Sequence, residues 1–363
     1  MRAIRIIALG AVLGMLGGCT GGAPKPAFNP TPKPTRPGQV VIIAGDHTVE
    51  RDPRDGEVAL KTSAYTDGGL AVAGDGVVYF QVSHRNGGRI ARLERDGTIS
   101  LMKLGNVPNQ LALHGGLLWV FSSYRGLDLA KVDRKSLSQS TVIAWKTASG
   151  EKLRVVSEEG RTLSSRERVE VDRYWPGSRF AVRDDGNPMV VSRRGDLYEA
   201  TDGILRRWKP PGYEEALARV AGEEEFGPTD IRSDGKGGLI LLGSRGVIRL
   251  PRDGRAVEAS LATRKGEKSP YVVAVPYNND SLLLLGEPVG VDRRPASALL
   301  KRDGTVESLA WGRPRVLCED FDGSMTAIAA ASPGGAARRP DGSIVISDKF
   351  CGRVLAFRAP GMS

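Results

Sequence analysis

The stretch that decides the fold reads Gly69-Leu70-Ala71-Val72-Ala73-Gly74-Asp75-Gly76-Val77-Val78-Tyr79. Two short apolar runs flank the dipeptide Asp75-Gly76 in this stretch. Asp-Gly is a strong hairpin signal, because the tightest turns between strands need residues that accept a positive φ. The stretch therefore predicts two antiparallel strands joined by a tight turn.

The same unit recurs along the chain. Asp-Gly pairs also begin at Asp96, Asp185, Asp202, Asp234, Asp253, Asp303, Asp322 and Asp341. Superposing the units gives six first strands, at Leu70–Val72, Leu111–Leu113, Phe180–Val182, Thr229–Ile231, Val273–Val275 and Ala336–Arg338. Alanine holds the middle place in most of them, which suits a crowded innermost strand. Short strands in units of about 45 residues, without long helical periodicity, predict an all-β fold: a six-bladed β-propeller.

The two ends of this repeat complement each other. The last unit has three strands, whereas Val40-Val41-Ile42-Ile43-Ala44 is a strand without a unit of its own. We expect this N-terminal strand to complete the last blade and close the ring, which would remove an exposed sheet edge. The propeller then spans residues 40–363, with an insertion at about 145–177 between the second and third units.

The first residues describe an export signal. A basic start, Met1 to Arg5, precedes an apolar segment that ends in Leu16-Gly17-Gly18-Cys19. About a dozen apolar residues suit a secretory signal and are too few for a membrane span, which needs about 20. The last four residues resemble the lipobox of bacterial lipoproteins. We therefore predict a signal peptide over residues 1–18 and a lipidated Cys19 on the extracytoplasmic face of the cell membrane; an ordinary signal peptide with a chance cysteine is the alternative.

Residues 19–39 are rich in proline and contain no long apolar run. Such a segment cannot bury enough surface to fold alone. We interpret it as a linker between the lipid anchor and the propeller.

Both ends of the predicted propeller resemble the NHL repeat. The resemblance rests on Asp75-Gly76-Val77-Val78-Tyr79 with Gly88-Arg89-Ile90-Ala91-Arg92-Leu93, and on Pro340 to Asp348 with Gly352-Arg353-Val354. NHL-like and related propellers include binding scaffolds and some enzymes, such as lactonases and lyases with a metal on the axis. The resemblance therefore implies either a membrane-anchored binding or scaffolding protein, which we favour, or an extracytoplasmic lactonase- or lyase-like enzyme.

Candidate metal ligands are sparse. Asp230 occupies the place that alanine holds in the other first strands, and Asn109 and Gln110 precede another first strand. One carboxylate and two amides make a poor calcium site, which needs several converging oxygen ligands. Pairing of Asp230 with a neighbouring basic residue is the competing interpretation. We find no nucleophile elbow, phosphate loop or Cys-His spacing, and predict no cofactor and no catalytic residue.

Basic residues follow the second strands of all six units. They are Arg85, Arg125, Arg193, Arg194, Arg245, Arg293, Arg294 and Lys349. In a propeller these loops open on one face, and arginine there can grip carboxylate or phosphate. With a net charge of +10, the sequence favours an anionic envelope polymer, a lipid head group or an envelope protein as partner, and export argues against nucleic acid. Ordinary solvation of the loops is the alternative.

Two cysteines remain besides Cys19. They are Cys318 and Cys351, and thiols in an oxidising compartment often pair. We predict a disulfide between them, with two free buried thiols as the alternative.

The lipid anchor is directly testable. Cys19→Ala removes the thiol that the lipid would modify, so the variant should accumulate as an uncleaved or mislocalised precursor. The measurement is the amount and size of the protein in membrane and soluble fractions. Normal processing with unchanged membrane retention would contradict lipidation at Cys19.

Overall fold

The structure, a computed structural model, describes much of the chain from residue 31 to residue 359. The described ranges are 31–49, 51–64, 69–84, 87–103, 110–122, 127–133, 139–145, 154–156, 177–201, 204–221, 226–261, 268–278, 281–287, 296–309, 318, 321–325 and 332–359. In these ranges the chain is built almost wholly of β-strands, with a short 3-10 helix at Ala59–Lys61 and one α-helix, α1, at Tyr213–Ala221.

The strands form sheets that are antiparallel except for one pairing in sheet 3, and we number the sheets along the chain. Sheet 1 contains β2 (Leu70–Val72), β3 (Val78–His84), β4 (Gly87–Leu93) and β5 (Ile99–Lys103). Sheet 2 contains β6 (Gln110–His114), β7 (Leu117–Ser122), β8 (Leu127–Asp133) and β9 (Gln139–Trp145). Sheet 3 contains β10 (Arg154–Val156), β11 (Arg179–Val182), β12 (Pro188–Val191), β13 (Leu197–Thr201) and β14 (Ile204–Arg207).

The second half of the chain continues the pattern. Sheet 4 contains β15 (Pro228–Ser233), β16 (Leu239–Gly243), β17 (Gly246–Leu250) and β18 (Val257–Ser260). Sheet 5 contains β19 (Tyr271–Pro276), β20 (Ser281–Gly286), β21 (Ser297–Lys301) and β22 (Val306–Ser308). Sheet 6 contains β23 (Pro333–Arg338), β24 (Ile344–Asp348), β25 (Arg353–Phe357) and β1 (Val40–Ala44).

The fold is a β-propeller, but the expected count of six blades is wrong. Within the described residues, five sheets are regular four-stranded blades, whereas sheet 3 has five strands. The extra strand is β10, which pairs in parallel with β14, with Arg154 opposite Ile204. It comes from the segment predicted as an insertion, residues 145–177. The repeat pattern missed this strand because β10 matches no strand of the other units.

The N-terminal strand completes the last sheet as expected, but in the described residues it does not close the ring onto sheet 1. β1 pairs antiparallel with β25, from Val40 opposite Phe357 to Ala44 opposite Val354, and so lies at the outer edge of sheet 6. No pairing of described strands joins sheet 6 to sheet 1. These two sheets meet by packing: Ile43 and Val345 of sheet 6 share a core cluster with Phe80 of sheet 1.

Packing between neighbouring sheets holds the propeller together. Along β16, Leu239 and Leu241 enter the cluster shared with sheet 3, whereas Ile240 and Leu242 enter the cluster shared with sheet 5. This is the two-residue period of a strand that is covered on both faces. Between sheets 2 and 3, the rings of Phe121 and Phe180 stack with centroids 5.3 Å apart. Such aromatic contacts add to the stabilisation that burial gives.

A close approach fixes the chain just after β1. Gly45 has a φ of +92°, and a Cβ atom on it would lie 2.4 Å from the carbonyl oxygen of Gly352. A larger residue at position 45 would therefore clash with the loop before β25 and also adopt a strained backbone. The glycine lets the N-terminal segment cross tightly over sheet 6.

The predicted disulfide between Cys318 and Cys351 is present, with Cα atoms 5.5 Å apart. It lies beside a buried ion pair in which Arg353 Nε is 3.1 Å from Asp348 Oδ2. Arg353 also donates through Nη1 to the carbonyl oxygen of Cys318, at 3.1 Å. The disulfide and the ion pair together attach the connection between sheets 5 and 6 to sheet 6.

Within the described ranges, no helix has the length and apolar character needed to cross a membrane.

Removing the disulfide should weaken the fold. The double variant Cys318→Ser/Cys351→Ala is expected to lose about 2–4 kcal/mol of unfolding free energy, because the cross-link closes a loop of 33 residues in the unfolded chain. Urea unfolding followed by tryptophan fluorescence measures the loss. A variant as stable as the parent under oxidising conditions would show that the link contributes nothing.

Candidate binding cavity on the propeller axis

The inner strands enclose a cavity of about 730 Å³ on the propeller axis. Every sheet contributes to its wall through its innermost strand, and these strands are β2, β6, β11, β15, β19 and β23. A volume of this size lies in the range of small-molecule sites, about 300–1,000 Å³. The wall combines apolar and polar side chains in similar measure. Its apolar residues include Leu70, Val72, Leu111, Leu113, Phe180, Val182, Ile231 and Val273, and its charged residues are Arg179, Asp230, Arg232, Glu287 and Lys349.

The cavity has two distinct ends. The loop face is the end where the inner strands begin, near Gly69, Gln110 and Arg179, and where the loops after the second strands lie. The turn face is the opposite end, with the turns between first and second strands, such as those at Asp184 and Asp234. The inner strands share one direction, since Gln110 meets Phe180 near their beginnings and Ser233 meets Asp184 just past their ends.

Polar side chains at the cavity tie sheets 2, 3 and 4 each to the backbone of the following sheet. Gln110 of sheet 2 accepts a hydrogen bond through Oε1 from the Phe180 amide of sheet 3. Arg179 of sheet 3 donates through Nε to the Thr229 carbonyl oxygen of sheet 4, at 2.8 Å. Asp230 of sheet 4 accepts from the Ala274 amide of sheet 5, at 3.1 Å. These bonds satisfy backbone groups that the inner edges of the sheets leave unpaired.

Among the described residues, the side chain of Gln81 makes no such bond to the next sheet. It lies on β3 of sheet 1, where its backbone amide donates to Gly69, and its side chain lines the cavity with 1% of its surface exposed. In sheet 2 the glutamine lies on the inner strand instead of the second strand: Gln110 is on β6, opposite Phe121 on β7. Neither the nitrogen nor the oxygen of the Gln81 amide has a hydrogen-bond partner among the described residues.

Asp230 is engaged in an ion pair rather than free. Its Oδ2 lies 2.6 Å from Nε of Arg232, two residues along the same strand. Arg232 also donates through Nη1 to the carbonyl oxygen of Ala336 on β23. The arginine therefore reaches from sheet 4 to sheet 6. Asp230 is paired with a neighbouring basic residue, which is the alternative to a metal-binding role given above. The described residues contain no group of histidine, cysteine or acidic side chains that could hold a metal ion.

Arg179 is held just as firmly. Besides Thr229, it donates through Nη1 to the carbonyl oxygens of Gly177 and Ser178, at 3.2 and 3.1 Å. Burial lowers the pKa of the Arg179 guanidinium, and the negative charge of Asp230 opposes that effect. Neither Arg179 nor Arg232 was singled out from the sequence, because arginine is frequent throughout the chain.

The predicted basic loops are only partly described. Arg193 and Arg194 are exposed, Arg245 is half-buried, and Lys349 lies 3.3 Å from Glu287 at the loop-face rim of the cavity. Each of the four follows a second strand, as predicted. Outside the described residues lie Cys19, Arg85, Asn109, Arg125, Arg293 and Arg294.

Gln81 was missed although the sequence carries a signal for it. It is the polar residue within Val78-Tyr79-Phe80-Gln81-Val82, a run that otherwise reads as a fully buried strand. A buried polar residue in such a run is informative, because it needs either a partner or a function.

The sequence matches no protein-family model and no curated protein. Many solved structures are similar in fold. A candidate gluconolactonase is 14% identical and aligns over 82% of this chain and 90% of its own, with a TM-score of 0.47. U3-55K is 8% identical over 88% and 98%, with a TM-score of 0.48, and a chain of the mitotic checkpoint complex is 11% identical over 98% and 99%, with a TM-score of 0.47.

Breaking the ion pair at the axis should be costly. Arg232→Met leaves the Asp230 carboxylate buried without its partner, so we expect a loss of about 3 kcal/mol in unfolding free energy. The double variant Asp230→Leu/Arg232→Met should recover part of the loss, because no charge then remains buried. Chemical unfolding of all three proteins measures this coupling, and additive losses would contradict it.

Proposed function

We propose that the protein is an extracytoplasmic binding protein, tethered to the membrane through Cys19, which holds its ligand in the axial cavity. The single observation that carries the proposal is the cavity itself. It is bordered by the inner strands of all six sheets, and its wall combines apolar side chains with polar groups that hydrogen bonds and ion pairs hold in place. This combination is typical of a preformed small-molecule site.

The enzyme alternative has weaker support. An axial metal would need free oxygen ligands, but the Asp230 carboxylate is occupied by Arg232 and by the Ala274 amide. Gln110 is likewise occupied through its oxygen by the Phe180 amide. The polar residues at the axis join sheets together, which favours binding over metal-assisted chemistry.

The approach of the tether supports one orientation on the membrane. Thr31 donates through Oγ1 to the carbonyl oxygen of Glu94, at 3.2 Å, just after β4 ends at the turn face. Gly38 donates to the Arg358 carbonyl oxygen at 2.8 Å, just after β25 ends at the same face. Residues 31–39 therefore run along the turn face before β1 begins.

The loop face then points away from the membrane. The residues between Cys19 and Thr31 span at most about 40 Å when extended at about 3.1 Å per residue. A tether that leaves from the turn face holds that face nearest the lipid. Arg193, Arg194 and Lys349 would then meet an anionic wall polymer or envelope protein more readily than the head groups of the protein's own membrane. The ligand would enter the cavity from the aqueous side.

The orientation can be measured on the lipidated, full-length protein in vesicles. A fluorophore is attached to one introduced cysteine, either Lys236→Cys in a turn of sheet 4 or Arg194→Cys in a loop of sheet 3. Both native residues are exposed. With a quencher on the lipid head groups, we expect strong quenching at position 236 and weak quenching at position 194.

The unlipidated Cys19→Ser protein is the matched control, and it should show little quenching at either position. Stronger quenching at position 194 than at 236 would reverse the proposed orientation. Loss of the intact protein from the membrane fraction would instead reject the tether.

A further inference from the structure

We propose that the axial cavity binds a small organic carboxylate with a single negative charge, and that Arg179 is the residue that binds its carboxylate group. The inference rests on the proposed function, because it takes the cavity to be the binding site. It adds the chemical class of the ligand, the residue that selects it, and the end of the cavity at which the charged group lies.

The balance of charges in the wall is the first argument. Three basic and two acidic side chains line the cavity: Arg179, Arg232, Lys349, Asp230 and Glu287. Nε of Arg232 lies 2.6 Å from Oδ2 of Asp230, and Nζ of Lys349 lies 3.3 Å from Oε1 of Glu287. Arg179 forms no such ion pair within the described part of the chain. One positive charge of the wall is therefore left without an acidic partner.

The hydrogen bonds of Arg179 are the second argument. Nε and Nη1 donate to backbone carbonyl oxygens, those of Thr229, Gly177 and Ser178. These bonds fix the guanidinium and leave Nη2, which carries two N–H donors, without a hydrogen-bond partner among the described residues. Unlike the amide of Gln81, this nitrogen is not closed off from solvent. Arg179 thus presents a fixed and accessible donor at the cavity wall.

The cost of burying this cation is the third argument. Loss of hydration lowers the pKa of the Arg179 guanidinium, and the charge of Asp230 offsets only part of that effect. Asp230 is itself paired with Arg232. A bound carboxylate would supply the missing partner through a hydrogen bond between charged groups, which is stronger than a bond between neutral ones. A second negative charge on the ligand would be buried without a partner, which is costly.

The position of Arg179 indicates how the ligand lies. Arg179 begins β11 at the loop face, where the exposed side chains of Arg193 and Arg194 attract an anion toward the mouth of the cavity. Near the other end of the inner strands, Arg232 crosses from sheet 4 to the carbonyl oxygen of Ala336 in sheet 6. The carboxylate would therefore lie near the loop face, with the rest of the molecule deeper, against the apolar part of the wall.

Benzoate is the probe, since it joins one carboxylate to a compact apolar ring. Benzyl alcohol, which has the same ring and no charge, is the comparison compound. Ligand-observed NMR titration gives both affinities for the full-length protein, for Arg179→Gln and for Arg206→Gln. Arg206→Gln is the matched control, because it removes the same charge from sheet 3, and Arg206 is an exposed residue of β14 that does not line the cavity.

The parent and Arg206→Gln should bind benzoate more tightly than benzyl alcohol. In Arg179→Gln, benzoate should bind about tenfold more weakly, with benzyl alcohol little changed, because a hydrogen bond to a charged group is lost. Added sodium chloride should weaken the binding of benzoate to the parent more than that of benzyl alcohol, since salt screens the attraction.

Two further measurements complete the test. Terephthalate, which carries a second carboxylate on the same ring, should bind the parent more weakly than benzoate does. If Arg179→Gln fails to fold, Arg179→Lys replaces it, and benzoate should then bind about threefold more weakly, because lysine keeps the charge but not the fixed Nη2 donor.

An equal loss of benzoate in Arg179→Gln and Arg206→Gln, or no loss in the Arg179 variant, would overturn the role of Arg179. Terephthalate binding as tightly as benzoate would overturn the single charge. Equal affinity of the parent for benzoate and benzyl alcohol would overturn the anionic ligand while leaving the cavity as a binding site. No binding of any compound to the folded parent would reject the inference, and the quenching experiment would still decide the tether and its orientation.

Discussion

Coverage of both faces of every sheet is the constraint on which the structure depends. The second strands β12, β16, β20 and β24 are buried along their whole length, so sheets 3 to 6 are covered on both faces. A sheet of this kind is stable only between two others. Arrangement around an axis gives each sheet two neighbours, and the core clusters accordingly lie between adjacent sheets rather than in one common centre.

The same constraint creates the axial cavity. Sheets that pack face to face around an axis cannot all reach it, so their first strands surround a space instead of filling it. The inner edges of those strands carry backbone groups that need partners. Gln110, Arg179 and Asp230 provide them from one sheet to the next, and the cavity keeps a fixed shape as a result. The amide of Gln81, by contrast, is buried and has no hydrogen-bond partner among the described residues.

The N-terminal segment connects this architecture to its setting. β1 is the outer strand of sheet 6, and the residues before it lie along the turn face. At the other end, the disulfide and the Asp348–Arg353 pair fix the loops of sheet 6. The N-terminal segment and the loop-face rim of the cavity therefore lie at opposite ends of the propeller.

Local patterns in the sequence account for most of the elements. Asp-Gly turns between short apolar runs predicted the hairpins, and the first strands lie where the repeat puts them, since turn chemistry and two-residue periodicity are local properties. β10 was not predictable in this way, because its parallel pairing with β14 depends on a segment without repeat character.

The candidate site, too, could be predicted from the sequence only in part. The sequence determined the sheets, the paired cysteines and the unusual acid at Asp230, each visible as a residue type at a repeated place. Only the tertiary structure decided that Asp230 is occupied by Arg232, that sheet 3 gains a fifth strand, and that the Gln81 amide is buried without a hydrogen-bond partner among the described residues. The physical reason is that hydrogen-bond satisfaction depends on groups from neighbouring sheets, which are far apart in the chain and meet only when the sheets pack.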